Sequence, residues 1–322
     1  MARHIQWLLG AAAAAMTALA GCDPDLIDIG DVGDDGDIAE RGMQLNGFQL
    51  NSFRLNSFRL NGYWLGPSDQ NNIKLAQAHF AGGPKITQAW LVGGELHVAT
   101  ELGDEVSGGQ LGGAQLVFDM IKDGVYMPGE SAKIVSAKLL EGTSDVWLYD
   151  LLVQDEKDQW QPLCVDKNNA PTEAILLTDL WDPTTGSRIS PRPSGAVTLA
   201  CRGAALAKCV EWGYAPWRVH DGVSLAETHQ ACTRAVRADY CGDGTPHTVN
   251  GVEIHVKDPL GIQKEDLSIP HVVEAEWGPG GALCLNDENT RLADANVECD
   301  LPACDAAFLD KGKLQTGKLT GP

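Results

Sequence analysis

Cysteine dominates the chemistry that this 322-residue sequence could perform. Cys22 closes the run Leu19, Ala20, Gly21, Cys22, where small residues precede a thiol that can accept a diacylglycerol before cleavage. The other eight, Cys164, Cys201, Cys209, Cys232, Cys241, Cys284, Cys299 and Cys304, all lie after residue 163. An even set of this kind in an exported chain reads as up to four disulfides. Cys241 has a second conceivable use, because His247 stands six residues on and an imidazole near a thiol could raise a thiolate for acyl transfer. That chemistry needs a free Cys241. Seven companion thiols in an oxidising compartment favour a disulfide beside the Gly242 and Gly244 turn instead. His247, His255 and His271 invite zinc, yet neither C-x-x-C nor H-E-x-x-H spacing is present. No carboxylate pair stands out for glycoside hydrolysis. The sequence therefore assigns no catalytic residue, no metal and no cofactor.

Tryptophan offers the other chemistry. Rings at Trp147, Trp160, Trp181, Trp212, Trp217 and Trp277 could stack on sugars, although large aromatics more often build a core or its wall. Trp217 and Trp212 are the ligand-facing candidates, Trp217 because Pro216 and Trp217 fall in a loop expected between two helices.

The positioning elements begin with an address. Arg3 and the apolar run Trp7–Ala20 have signal-peptide form, short of the roughly 18 apolar residues a spanning helix needs. Residues 1–21 thus read as a lipoprotein signal peptide and Cys22 as the lipid anchor, with the bilayer as partner. The membrane, inner or outer, is left open. Residues 22–42 carry Asp28, Asp31, Asp34 and Asp37 at every third position, which is not the spacing of a calcium loop and suits an acidic tether. A formal charge of −20 excludes nucleic acid as a natural partner.

Residues 43–66 contain a pentad repeat in which Leu45, Leu50, Leu55 and Leu60 are each followed by Asn. The period suits one side of a square coil per pentad, docked on the next domain or on a partner. It equally suits a low-complexity linker exposing Phe48, Phe53 and Phe58.

From 73 to 200 the pattern is short alternating runs, such as Glu95–Val98, Lys133–Leu140 and Trp147–Val153, separated by Gly, Pro and Asp turns. It predicts an antiparallel sheet or small sandwich. Residues 201–310 are cysteine-rich and packed with 73–200, and 311–322 form a tail. The cysteine-rich part opens with two helical segments, Gly203–Trp212 and one begun by a capping box at Ser224–Glu227. Seven residues separate Cys201 from Cys209 and eight separate Cys232 from Cys241, about two helical turns in each case. An antiparallel helical hairpin would then close Cys201–Cys241 and Cys209–Cys232 together. Cys164, Cys284, Cys299 and Cys304 share two bridges in a pairing that spacing does not choose. The fold class is α+β: a β-rich region, then a disulfide-stabilised region with a helical hairpin.

The stretch Ala231–Gly244, with Ala238, Asp239, Tyr240 and Cys241 at its centre, resembles the ADYC domain, a bacterial family named after those four letters. Cys209–Tyr214 upstream, and His247, Thr248 and Ala282–Cys284 downstream, are similar to the same family. The likeness spans roughly residues 160–305. It implies exported, cysteine-rich proteins, often lipoproteins, and brings no activity. Taken together, the sequence points to a membrane-anchored extracytoplasmic lipoprotein, periplasmic or surface-exposed. Its expected role is non-catalytic binding of envelope protein or glycan. The alternative is an extracytoplasmic hydrolase of unrecognised type.

Overall fold

The structure is a computed structural model and describes residues 52–55, 72–80, 83–122, 125–154, 157–166, 168–190, 196–293 and 295–320. Cys22, the signal peptide, the tether and all of the pentad repeat but 52–55 lie outside the described residues. The α+β class holds: the described residues form two large antiparallel sheets, two small two-stranded ones and two α-helices, α1 at Ala205–Glu211 and α2 at Ala226–Arg237.

The β-rich region closes on itself. Strands Asn72–Phe80, Ala114–Lys122, Val125–Leu139, Trp147–Gln154, Ala174–Leu177 and Ala196–Cys201 neighbour one another in that order. The last then returns to the first, pairing Val197 with Ile73. The result is a ring, where sequence patterning suggested an open sheet or sandwich; closure leaves no edge along that seam. Lys85–Val92, Glu95–Thr100 and Glu105–Ser107 extend from the other end of Asn72–Phe80.

Period-two alternation sorts the side chains. Tyr149, Leu151 and Val153 join Ala174, Leu176, Val197 and Leu199 in one core, with Leu96, Val98 and Ile134. Leu148, Ile175, Leu177 and Ala200, the alternate residues of the same strands, point the other way and pack on Leu206, Ala207 and Val210 of α1. Both faces of these strands are therefore covered, which is why Ala174–Leu177 reads as an unbroken apolar run.

The second sheet has five antiparallel strands in the order Ser52–Leu55, Val252–Lys257, Leu314–Leu319, His271–Gly278, Gly281–Leu285. The described part of the pentad repeat, Ser52–Leu55, is thus an edge strand of this sheet. The opposite stripe of α1, Ala205, Cys209 and Trp212, packs with Ala231, Cys232 and Ala235 of α2 and with Ile254, Ala275 and Trp277 of this sheet. Every residue of α1 is buried, as expected of a short helix pressed between two layers.

Two helix boundaries differ from the sequence expectation. Ser224 is held in the two-residue hairpin Val219–His220 with Val223–Ser224, so the α2 N-cap position falls to Leu225 and no capping box forms. At the other end α2 stops at Arg237, because Ala238 takes the left-handed conformation at φ 51°.

Candidate functional site

The eight described cysteines are all paired. Cys209–Cys232 joins α1 to α2 with Cα atoms 5.9 Å apart. The expected Cys201–Cys241 bridge is not formed: Cys201 pairs with Cys164, Cys241 with Cys299, and Cys284 with Cys304. The physical reason lies at the helix ends. Cys201 ends a strand of the ring and Cys241 lies beyond the left-handed turn at Ala238, so neither is on a helix and helical counting does not reach them.

The block Ala238–Cys241 becomes legible as a structural joint. Ala238 makes the left-handed exit from α2. The Asp239 carboxylate, fully buried, pairs with Arg234 and accepts from the Gly244 amide at 3.1 Å. Arg234 also donates to the Thr185 carbonyl at 2.5 Å and the Ser187 hydroxyl at 2.7 Å, drawing the loop after Asp182 onto α2. That fit requires Gly244, at φ +94°, since a Cβ there would sit 1.9 Å from the Thr184 carbonyl oxygen. Tyr240 donates to Glu274 at 2.7 Å and stacks on Trp277 with centroids 5.3 Å apart. Glu274 is clasped by Arg291 at 2.6 and 2.8 Å and accepts from Thr316 at 2.7 Å. Burial alone would raise the Glu274 carboxyl; Arg291 overcomes it and holds the group below its ordinary range.

His247 does not serve Cys241. Its two ring nitrogens each lie 3.0 Å from a carbonyl oxygen, of Ala238 and of Asn296, pinning the joint to the segment that carries Cys299. His255 and His271 meet elsewhere, stacked with centroids 3.7 Å apart across Gly317, whose missing side chain leaves room for both rings. His255 Nε2 accepts from the Asp266 amide at 3.0 Å, and burial pushes its pKa down to about 4. Among the described residues no group of three or more His, Cys, Asp or Glu is arranged to hold a metal.

The two tryptophan candidates sit in different surroundings. Trp212 is 1% exposed, in the core beside Cys209 and Cys232, because it lies on the α1 stripe facing the second sheet. Trp217 is half-buried, its indole N–H donating to Asp145 at 2.8 Å while its ring covers Gly93 and Gly94. Arg218 binds the same carboxylate and holds Asp145 below its ordinary pKa. Trp217 thus clasps the helical region to the ring through Asp145.

A cavity of about 290 Å³ opens at one end of the second sheet, between the strand ends at Lys257 and Leu314 and the loops that follow and precede them. Four carboxylates and two lysines line it, and hydrogen bonding divides them. Asp258 is saturated: it accepts from the amides of Leu260, Ile262 and Gln263 and from the Tyr214 hydroxyl at 2.9 Å. Glu276, 1% exposed, accepts from the amides of Asp310 and Gly312 and from the Gln315 side chain, forming a fixed floor. Lys257, half-buried, reaches Asp310 at 3.2 Å and Glu265 at 3.7 Å on the rim. Lys264 is exposed and makes no ion pair among the described residues. The charged groups on the rim are therefore Lys264, without an ion pair among the described residues, and the surface-paired Lys257, Glu265 and Asp310. Sequence reading missed them because Lys257, Lys264 and Glu265 are separated from Asp310 by a long stretch of chain that only the fold closes.

The molecule is a disulfide-stapled α+β protein of the kind that persists in an oxidising, extracytoplasmic compartment. Among the described residues no helix is long and apolar enough to cross a membrane. The ADYC domain family model matches residues 108–291, more than half of the sequence, and the chain belongs to that family. The match begins inside the ring, earlier than the residues around Cys241 indicate, so the family unit includes ring strands as well as the cysteine-rich region. No curated protein and no solved structure matches the chain.

Proposed function

We propose that this protein is a lipid-anchored envelope binding module, tethered to a bilayer through Cys22 and holding part of an envelope protein or glycan in the cavity beside Lys257. The observation that carries the reading is the split among the cavity's charges. Asp258 and Glu276 are locked by backbone donors, which fixes the walls, while on the rim Lys257 pairs with Glu265 and Asp310, both solvent-exposed, and Lys264 makes no ion pair among the described residues. Preorganised walls with a rim of solvent-accessible, exchangeable ion pairs favour recognition, because little ordering is left to be done on binding. The complementary ligand carries one carboxylate for the lysines and N–H or O–H donors for Glu265 and Asp310. A polyanion is disfavoured by the chain's charge of −20.

The test is calorimetric titration of the mature domain with short peptides and amino-sugar oligosaccharides bearing a single carboxylate. Binding is expected to weaken roughly tenfold in Lys264→Ala and to keep its strength in Trp217→Phe. No binding by any probe, or binding indifferent to Lys257→Ala and Lys264→Ala, would overturn the reading. The hydrolase alternative draws on one contact, Glu265 against His271 at 3.7 Å on the cavity rim. Turnover of ester or amide probes that His271→Ala abolishes would replace binding with catalysis.

A further inference from the structure

Residues 258–270 close one side of the cavity, and two different devices hold them. The first half hangs on Asp258, whose carboxylate accepts from the amides of Leu260, Ile262 and Gln263, and on the Gln263 side chain, which donates to the Trp212 carbonyl at 2.8 Å. The second half carries the rim groups Lys264 and Glu265 and is mostly exposed, with Leu267 at 84%. The Asp266 carboxylate is turned onto Ser268, so it braces the loop without anchoring it. Two histidines make the anchor. The Asp266 amide donates to His255 Nε2 at 3.0 Å, and His271 Nδ1 donates to the Ile269 carbonyl at 2.8 Å. Beyond them the Pro270 carbonyl accepts from the Thr320 amide, and Glu265 reaches Lys257 and His271 at 3.7 Å each.

The two rings lie face to face, 3° from parallel with centroids 3.7 Å apart, over the bare Cα of Gly317. This arrangement suits neutral imidazoles. A proton added to His255 Nε2 turns an acceptor into a donor aimed at the Asp266 N–H, and sets a charge against the second ring. The surroundings compensate little. Its own strand presents Glu253 and Lys257 on the same face, opposite in sign. The loop offers the Asp266 carboxylate, already engaged by Ser268, while Glu265 leans on His271 and Lys257. Its register neighbours Gly317 and Ser52 carry no charge. Burial, reinforced by His271 and Lys257, therefore lowers His255 to about 4, against about 6.5 for a ring in water.

We propose that the His255–His271 stack is an acid-released latch: a proton on His255 frees residues 264–270 and withdraws Lys264 and Glu265 from the cavity, while Asp258 keeps 260–263 in place. The open form takes up the proton more readily, so opening grows as pH falls from about 6.5 to about 4, and no proton drives it above that window. Its purpose, ligand release on acidification, rests on the binding reading proposed above; its mechanism does not.

The experiment is amide hydrogen exchange of the full mature chain, followed residue by residue by NMR at pH 7 and pH 5 and corrected for intrinsic exchange rates. Protection of the Asp266 and Ile269 amides is expected to fall about twentyfold in wild type, while Leu260, Ile262 and Gln263 keep theirs. In His255→Gln, whose Oε1 accepts from the Asp266 amide and takes up no proton, protection is expected to stay constant. A fall no larger at Asp266 than at Gln263, or an equal fall in His255→Gln, overturns the proposal. A wild-type measurement covers the case in which that variant does not fold. The Asp266 amide shift is expected to titrate with the same midpoint as the His255 ring, and separate midpoints overturn the proposal. Neither readout involves a ligand: a failed latch leaves binding at pH 7 standing, and a failed binding reading leaves the exchange result standing.

Discussion

The ring and the second sheet meet across α1, yet their interiors are filled in different ways. Inside the ring the core is aliphatic, with Leu96, Val98, Leu116, Ile134 and Leu151 around Tyr149. Its chief polar intruder, the Tyr149 hydroxyl, is used up by the Leu96 amide at 2.7 Å and the Gly94 carbonyl at 3.2 Å. Beneath the second sheet, Arg234 with Asp239 and Arg291 with Glu274 are buried as ion pairs, and three of the four disulfides lie in this half. An apolar core is adaptable, and small losses of volume cost little beyond the removed atoms and the residual cavity. A buried ionic joint works only when complete, since each partner left alone faces the full cost of desolvation. The second region should therefore fail abruptly where the ring fails gradually.

The sharpest way to break that contrast is Arg291→Met. It leaves the Glu274 carboxylate buried, and the expected loss is about 3–5 kcal/mol by urea unfolding. Ile134→Val inside the ring should cost only about 0.5–1.5 kcal/mol. Losses of equal size would show that the ionic joint has no special standing.

Cross-links come next. Removing Cys241–Cys299, with a sequence separation of 58, should cost about 4 kcal/mol on loop entropy when both are changed to Ser. Removing Cys164–Cys201 from the ring opens a separation of 37, and loop length alone makes that loss smaller by only about 0.4 kcal/mol. A wider measured gap would express how far the second region relies on covalent closure. A gap of that size or less would place the two regions on the same footing.

Protonation sharpens the comparison at lower amplitude. His255 and His229 are buried, and burial pushes both down to about 4. An unfolded histidine takes its proton near pH 6.5, so the unfolded chain binds more protons as pH falls from about 6.5 to about 4. Stability is fully present above that window and drains away within it, by about 2–3 kcal/mol per histidine. His255→Asn keeps an acceptor for the Asp266 amide and cannot take up that proton, so urea midpoints measured between pH 4 and 7 should fall less steeply in the variant. An unchanged slope would exclude His255 from the acid response. Lys208 on α1 acts in the same sense: burial pushes it down to about 7, so Lys208→Met should raise the thermal midpoint at pH 7. That gain should shrink as pH rises toward 10, where the unfolded lysine also loses its proton.

The same contrast governs what the sequence made legible. Alternation in Trp147–Val153 is local, so the ring strands could be located from spacing. Cys209 and Cys232 each lie within a regular helix, so their pairing followed from periodicity. Ring closure was not legible, because it pairs Asn72–Lys74 with Ala196–Thr198 across more than a hundred residues of chain. Cys241 was misassigned because a single residue, Ala238, turns left-handed and ends the periodicity on which the count depended. The joint was invisible for a chemical reason: Glu274 and Arg291 look like surface residues until the fold buries both. The cavity rim drew on Lys257, Glu265 and Asp310, which only the fold brings together.

The smallest expected effect is the most informative about that joint. In Glu274→Leu with Arg291→Met both charges leave together, so neither partner is stranded, and the volumes stay close to the originals. The change in stability should lie within about 1 kcal/mol of wild type, against the 3–5 kcal/mol expected for Arg291→Met alone. Tyr240, Thr316 and the backbone amide of residue 291 would each lose an acceptor on Glu274, so what loss remains should come from those donors, and adding Tyr240→Phe should remove part of it. If the double variant instead loses as much as Arg291→Met, the pair contributes net stability despite its desolvation. If it matches wild type, the pair's contribution is to geometry: Arg291 also donates to the Ala235 carbonyl in α2, so it fixes how the helix end carrying Ala238, Asp239, Tyr240 and Cys241 seats on the sheet. Linked-peptide mapping of the refolded double variant separates that case, because a misplaced helix end would mispair Cys241.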